Sequence, residues 1–436
     1  MLGKLKNISL SNWILIGMVL GLLTGLILNF FVPDSFFKNT LLVDNVFYLG
    51  GSLFIKLMKM LVVPLVFCSI VVGAASISDI RKIGSIGGRT IGIYLITTAL
   101  AVTLALAIGM LIKPGVGLNM AAAAQSSNVT INQTMIGTIL NMVPDNPLNA
   151  LANGDMIPVI IFGLLIGIIL AKLKEETQLV SDLFSQGNRI MMEMTSIVMK
   201  FAPIGIFCLM ARTFAGIGFE GLLPLGKYVL CVLIGLAIQA FVVYPTLLVL
   251  FTRLNPVRFF RKFFSVMFFA FSSSTSNATI PLNLEKLSEL GVSKDVSSFT
   301  IPLGATINMD GTSIMQGVAV MFAAQAYGID LGTAALLTVI FTAVMASIGT
   351  AGVPSVGLIT LTMVFNSVGL PVQAIGMIFG IDHILDMFRT AVNVTGDAIC
   401  TLIVSFKNKS LDVDVFNGNK ERDPSNTVLL NDLDII

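Results

Sequence analysis

Apolar runs of about 20 residues, the length that crosses the hydrocarbon core of a bilayer, recur along most of the chain. They lie at about 12–32, 46–75, 86–112, 157–172, 191–216, 222–252, 297–327 and 375–406, and each predicts a membrane-spanning helix. Two further stretches break the pattern. FFSVMFFAFSSSTSNATIPLNL (263–284) stops at a run of small hydroxyl residues and then turns apolar again, and LTVIFTAVMASIGTAGVPSVGLITLTMVF (337–365) does the same at SIGTAGVP. Each apolar half is only about ten residues, too short to cross. These two segments are therefore expected to be re-entrant helical hairpins, one dipping from each side. Irregular backbone at membrane depth is tolerated only where protein or a water-filled cavity satisfies its polar groups, and paired interruptions point to a transporter site at an inverted repeat.

Positive charge orients the chain, because Lys and Arg accumulate on the cytoplasmic side. Lys4 and Lys6, then Arg81, Lys82 and Arg89, then Lys172 and Lys174, then Arg253, Arg258, Arg261 and Lys262 mark successive inside ends, while the segment 114–156 has neither residue type. Eight crossings with both termini in the cytoplasm satisfy every loop, and the polar last 30 residues form a cytoplasmic tail. The first apolar stretch is too long for a cleaved signal and is expected to be the first span.

Composition agrees with that pattern. Apolar residues make up 55% of the chain and charged ones 11%, with a mean hydropathy of +0.92, so the chain reads as an all-α polytopic membrane protein without a sizeable soluble domain. A net charge of +2 makes no case for nucleic acid. Cys68, Cys208, Cys231 and Cys400 fall inside apolar stretches with no CxxC pair, which indicates neither a disulfide framework nor a zinc site.

Against so apolar a background, GIDHILDMFRTAVNVTGD (380–397) in the last span is the main anomaly. With about 100° per residue and Asp382 at zero, Arg389 falls near 340°, Asn393 near 20°, Asp386 near 40°, Asp397 near 60° and Thr390 near 80°. One arc of about 100° thus carries all six and must face the protein interior. A charge at bilayer depth costs on the order of 2.5–3.5 kcal/mol and usually marks an ion or substrate pathway. Three carboxylates against one guanidinium leave positive charge wanting, whereas His383 points off this arc and is expected to pack. The seventh span carries a second cluster, PLGATINMDGTSIMQG (302–317), where Pro302, Gly304 and Gly311 weaken the helix around Asn308 and Asp310. Unwound carbonyls beside a carboxylate suit a small desolvated cation such as sodium. Tyr94, Thr97 and Thr98 on the third span offer further oxygens, although a Thr–Thr pair also serves helix packing.

These segments, from KMLVVPLVF (59–67) through the serine-rich hairpin, INMDGT (307–312), SIGTAGVP (347–354) and LDMFRTAVNVTGD (385–397), resemble the glutamate transporter family, the dicarboxylate/amino acid:cation symporters, as a prokaryotic member. The resemblance covers nearly the whole chain. It implies an elevator-type, sodium-coupled symporter in the cell membrane, a homotrimer, with scaffold segments 1–84 and 114–220, a transport domain of 85–113 and 221–406, and the tail 407–436. By similarity, Arg389 grips the substrate's side-chain carboxylate and Asp386 its amino group. Asn393 and Ser276 hold the main-chain carboxylate, Asn277 beside Ser276 is a further substrate-binding residue, and Thr312, Thr390, Val353 and Gly357 close the pocket. Sodium ions draw on Asp397, Asn308, Asn393 and Gly304; on Thr306, Met309, Ser347, Ile348 and Thr350; and on Asp310, Asn308, Tyr94, Thr97 and Thr98.

The chain departs from the family pattern at the first hairpin tip, which reads Thr275, Ser276, Asn277, Ala278, Thr279 in place of the usual serine triplet. It also lacks the additional arginine of archaeal and animal relatives, with Ser274 and Met387 at those positions. Aspartate or glutamate is the expected substrate, since relatives for neutral amino acids lack the counterpart of Arg389. A proton-coupled C4-dicarboxylate symporter, a neutral amino acid symporter and a passive anion channel are the alternatives. An intramembrane aspartyl protease would need Tyr-Asp and Gly-x-Gly-Asp motifs, and neither is met.

Overall fold

A computed structural model describes residues 10–76, 80–118, 143–154, 156–218, 222–348 and 356–420. Apart from one antiparallel bridge between Val292 and Leu411, the regular structure among these residues is helical. In chain order the helices are α1 (Leu10–Phe31), α2 (Tyr48–Ser76, entered through a π-helical stretch Phe37–Phe47), α3 (Ile80–Ile112), α4 (Pro147–Asn153), α5 (Met156–Leu173), α6 (Gln178–Met199) and α7 (Ala202–Ile217). They continue with α8 (Leu222–Ile238), α9 (Tyr244–Thr252), α10 (Pro256–Ser273), α11 (Ser276–Glu289), α12 (Lys294–Ile307), α13 (Asp310–Ala326), α14 (Thr333–Ile348), α15 (Val356–Ser367), α16 (Ile375–Lys407) and α17 (Val413–Asn417).

Four helical segments among the described residues are long and apolar enough to cross a membrane by themselves: 37–72, 86–112, 222–252 and 381–407. The fifth apolar run, expected over 191–216, is instead two helices, α6 and α7, bent by 53° at Lys200–Phe201. Pro203 in the first turn of α7 explains the break, because it has no N–H to continue α6 and its fixed φ suits a helix start. The seventh run is also divided, between α12 and α13, at the non-helical residues Asn308 and Met309.

Helix α1 packs along α7, and α2 packs on α5, α6 and α7. Gly17, Gly21 and Gly25 make the first contact intimate. A Cβ at Gly21 would lie 2.5 Å from the Phe207 carbonyl oxygen and one at Gly25 2.7 Å from that of Ala211, so only glycine lets the two backbones touch. A second set forms around α16, which contacts α8, α9, α10, α11, α12 and α13 and also lies against α7 of the first set, while α3 lies against α13, α14 and α8. Most of α16 is buried, as its charged face requires. The two interrupted segments are helical pairs, α10 with α11 and α14 with α15. Ser274, in the left-handed conformation at φ 52°, turns the chain between the first two.

Beyond α16 the chain folds back. Asp412 N–H donates to the Gly291 carbonyl, Phe416 is buried, and Arg258 Nη1 donates to the Asn417 carbonyl at 2.6 Å. Asp412 caps α17, and the Lys420 ammonium beside it holds its carboxyl below the usual carboxylate range. The depressed folded-state value means this cap is in force at neutral pH and is lost as the pH falls through it.

Candidate functional site

The break in the seventh run creates the first half of the site. A helix leaves its last four carbonyls without intrahelical partners, and its C-terminus carries partial negative charge. At the end of α12, the Asn308 N–H still reaches the Gly304 carbonyl at 2.9 Å, and the Ile307 carbonyl accepts from Ser347 Oγ on α14 at 3.0 Å. Asp310 opens α13 and is completely buried. Its Oδ1 accepts from Thr98 Oγ1 at 2.7 Å and stands 3.4 Å from Thr97 Oγ1, and its Oδ2 accepts from Tyr244 OH at 2.8 Å and Gln239 Nε2 at 3.1 Å.

Proton counting shows what this arrangement suits. Thr97 has one hydroxyl proton but faces three acceptors: the Tyr94 carbonyl at 3.0 Å, Asn308 Oδ1 at 3.4 Å and Asp310 Oδ1 at 3.4 Å. The Asn308 amide is oriented by its other end, since Nδ2 donates to Asp397 Oδ1 at 2.8 Å, which leaves Oδ1 turned toward Thr97. Oxygens therefore outnumber the protons between them, in a buried place next to a carboxylate, and that is the chemistry of a cation ligand set.

Gly304 lets Asp397 approach. A methyl group there would lie 2.5 Å from Asp397 Oδ1 and 2.7 Å from Tyr94 OH. Gly304→Ala is therefore expected to destabilise the protein by about 1–3 kcal/mol through overpacking, read as a lowered melting temperature in detergent. A melting temperature equal to that of the parent would show that the approach is not tight.

The second half is Arg389 on α16, fully buried. Its Nη1 pairs with Asp382 Oδ1 at 2.7 Å and its Nη2 with Asp386 Oδ1 at 2.6 Å, while Nε finds no hydrogen-bond partner among the described residues. The three share one face because they lie four and seven residues along the helix from Asp382. Asn393, one turn further, joins the halves: its Oδ1 accepts from Gly311 N–H at 2.7 Å and its Nδ2 lies 3.3 Å from Met309 Sδ. A Cβ at Gly357 would lie 2.7 Å from Thr312 Cγ2 and 3.6 Å from Arg389 Nη1, which brings α15 against the arginine.

Of the residues expected at the site, Tyr94, Thr97, Thr98, Gly304, Asn308, Met309, Asp310, Asn393 and Asp397 converge on the break, Thr312, Gly357 and Asp386 gather around the Arg389 guanidinium, and Thr390 donates to the Asp386 carbonyl within α16. Ser347 contacts the end of α12, Ile348 packs in an apolar cluster with Tyr94 and Ile307, and Thr306 donates to the Leu303 carbonyl within its own helix. Ser276 and Asn277 form the first turn of α11, which packs against α16. Thr350 and Val353 lie outside the described residues. His383 is buried, and neither ring nitrogen has a hydrogen-bond partner among the described residues.

Three residues that meet the site are not among those expected. Asp382 was legible as a carboxylate on the polar arc, but its pairing with Arg389 was not. Gln239 and Tyr244 were legible only as polar residues inside an otherwise apolar run.

A buried carboxylate and oxygen nest at a broken helix, beside a clamped arginine, is the kind of arrangement that secondary transporters build at interrupted spanning helices. Comparison with known proteins agrees. Residues 10–406 match the model of the sodium:dicarboxylate symporter family. The proton/sodium-glutamate symport protein of Geobacillus stearothermophilus is 34% identical over 411 residues, 92% of this chain and 95% of that one. The proton/glutamate-aspartate symporter of Escherichia coli is 35% identical over 414 residues, 92% and 94% of the two chains. The C4-dicarboxylate transport protein of Cupriavidus taiwanensis is 33% identical over 396 residues, 89% of each. The chain belongs to the sodium:dicarboxylate symporter family, a family of multi-pass membrane symporters, and is not an enzyme.

Proposed function

We propose that the chain takes up an acidic amino acid, aspartate or glutamate, together with sodium ions across the cell membrane. The observation that carries this reading is the proton-poor oxygen nest of Asp310, Asn308, Thr97 and Thr98 beside the buried Arg389. Sodium is cargo here, and it supplies the positive charge that one guanidinium among Asp310, Asp382, Asp386 and Asp397 does not.

Substrate entry follows as an exchange of ion pairs. The side-chain carboxylate of an amino acid takes the open Nε edge of Arg389 together with Nη2, a bidentate fit to a planar guanidinium. Asp386 then gives up Nη2 and receives the substrate ammonium, and Asp382 keeps Nη1 in place. The main-chain carboxylate falls to Asn393 and to the first turn of α11 at Ser276 and Asn277, where free N–H groups and the helix dipole favour an anion. Thr312, Thr390, Gly357 and Val353 enclose the pocket. Sodium is assigned to three ligand groups: Asp310, Asn308, Tyr94, Thr97 and Thr98; Asp397, Asn308, Asn393 and Gly304; and Thr306, Met309, Ser347, Ile348 and Thr350.

The same reading assigns eight crossings with cytoplasmic termini, with α10–α11 and α14–α15 as the re-entrant hairpins. The set around α16 and α3 moves as an elevator against the set of α1, α2, α5, α6 and α7 in a homotrimer, the two sets meeting where α16 lies against α7.

Uptake of labelled aspartate, glutamate and succinate into proteoliposomes tests the proposal. An inward sodium gradient is expected to drive accumulation of the two amino acids above succinate. Equal accumulation with a proton gradient and choline in place of sodium overturns the coupling, and preferred uptake of succinate overturns the substrate.

A further inference from the structure

The sixth apolar run is not a regular helix. Between α8 and α9 the backbone widens into a π-helical turn over Gln239–Val243, a geometry that is rare and concentrates at functional sites. Gln239 and Tyr244 bracket this turn, both are completely buried, and both donate to one atom, Asp310 Oδ2. On an α-helix, residues five apart stand about 140° apart around the axis and cannot converge on one atom. The i→i+5 repeat of a π-turn stacks them on one face. The widened turn is thus what brings the amide and the phenol together. Gln239 Oε1 is buried with no hydrogen-bond partner among the described residues, so the amide meets the site through its N–H end. On its far side the Tyr244 hydroxyl is braced by Gly396, where any side chain would run into it.

We infer that Gln239 and Tyr244 are positioning residues for the cation: by holding Asp310 Oδ2 they keep Oδ1 turned to Thr97, Thr98 and Asn308 and fix the size of the nest. This rests on the sodium reading above and deepens it. Without the two donors the carboxylate can rotate about its terminal bond, and the ligand set loses its shape. Partners of this kind, which orient a ligand without touching the ion, typically set affinity and selectivity.

The test uses the full-length protein in detergent, with melting temperature followed against sodium chloride and lithium chloride at constant ionic strength in choline chloride. Tyr244→Phe and Gln239→Met keep side-chain volume and remove one donor each. Each is expected to raise the sodium concentration for half-maximal stabilisation about tenfold and to bring the lithium and sodium midpoints toward equality. Tyr228→Phe, at a buried tyrosine on α8 whose hydroxyl has no partner among the described residues, is expected to leave both midpoints unchanged. Variants that melt lower yet keep the parent's midpoints and lithium-to-sodium ratio overturn the inference, since packing alone would do that. Variants that titrate like the parent overturn it too, while leaving the sodium reading intact. A parent protein that sodium stabilises no better than choline defeats both. Either variant suffices if the other does not fold.

Discussion

Replacing Arg389 by cysteine is expected to abolish binding of aspartate and glutamate. Two effects combine. The substrate would lose the guanidinium proposed to bind its carboxylate, and Asp382 and Asp386 would lose the pairs they make with Arg389 at 2.7 and 2.6 Å. Removing one member of a buried, hydrogen-bonded ion pair commonly costs about 3–5 kcal/mol, so a lowered melting temperature should accompany the loss. Equilibrium binding of labelled aspartate at saturating sodium separates the two effects, since destabilised but folded protein can still be titrated. Affinity that stays within a few-fold of the parent would remove the guanidinium from substrate recognition. Arg389→Lys is the informative companion. A lysine keeps the charge but cannot span two carboxylates with a planar fork, so it should restore part of the stability and little of the affinity.

The second large effect is expected from Asp310→Asn. This residue accepts from Thr98, Tyr244 and Gln239, and an asparagine can offer one oxygen where the carboxylate offers two. A hydrogen bond to a charged group contributes about 1.5–3 kcal/mol, so losing two of them, with the charge itself, should raise the half-saturating sodium concentration about a hundredfold or more. Substrate affinity in choline should stay as low as in the parent, because the change acts only through the ion. Sodium titration of labelled aspartate binding checks this, and a midpoint within threefold of the parent would take Asp310 out of the cation site.

How the chain reveals its site differs from one half to the other. The arginine half lies on a single helix, and helix geometry alone places Asp382, Asp386, Arg389, Asn393 and Asp397 on one face. The half around Asp310 joins segments far apart: Thr98 is 212 residues from Asp310, Asn308 is 89 from Asp397, and Tyr244 is 66 from Asp310. Periodicity within one helix carries no information about such pairs, which depend on how separate helices cross. Within the last helix, periodicity puts Asp382 on the face of Arg389 but does not fix the side-chain rotamers that pair it with Nη1.

On its own, the amino-acid sequence determines a polytopic helical membrane protein. It also determines the interrupted seventh run, the two hairpin segments and the charged face of the last helix, because hydrocarbon thickness and the cost of buried charge act on local composition. Tertiary structure alone decided that Asn308 turns its oxygen toward Thr97 and its nitrogen toward Asp397, and that a π-turn aims Gln239 and Tyr244 at one oxygen of Asp310. Those outcomes follow from satisfying buried polar groups between helices, a condition on the assembled molecule and not on any one segment.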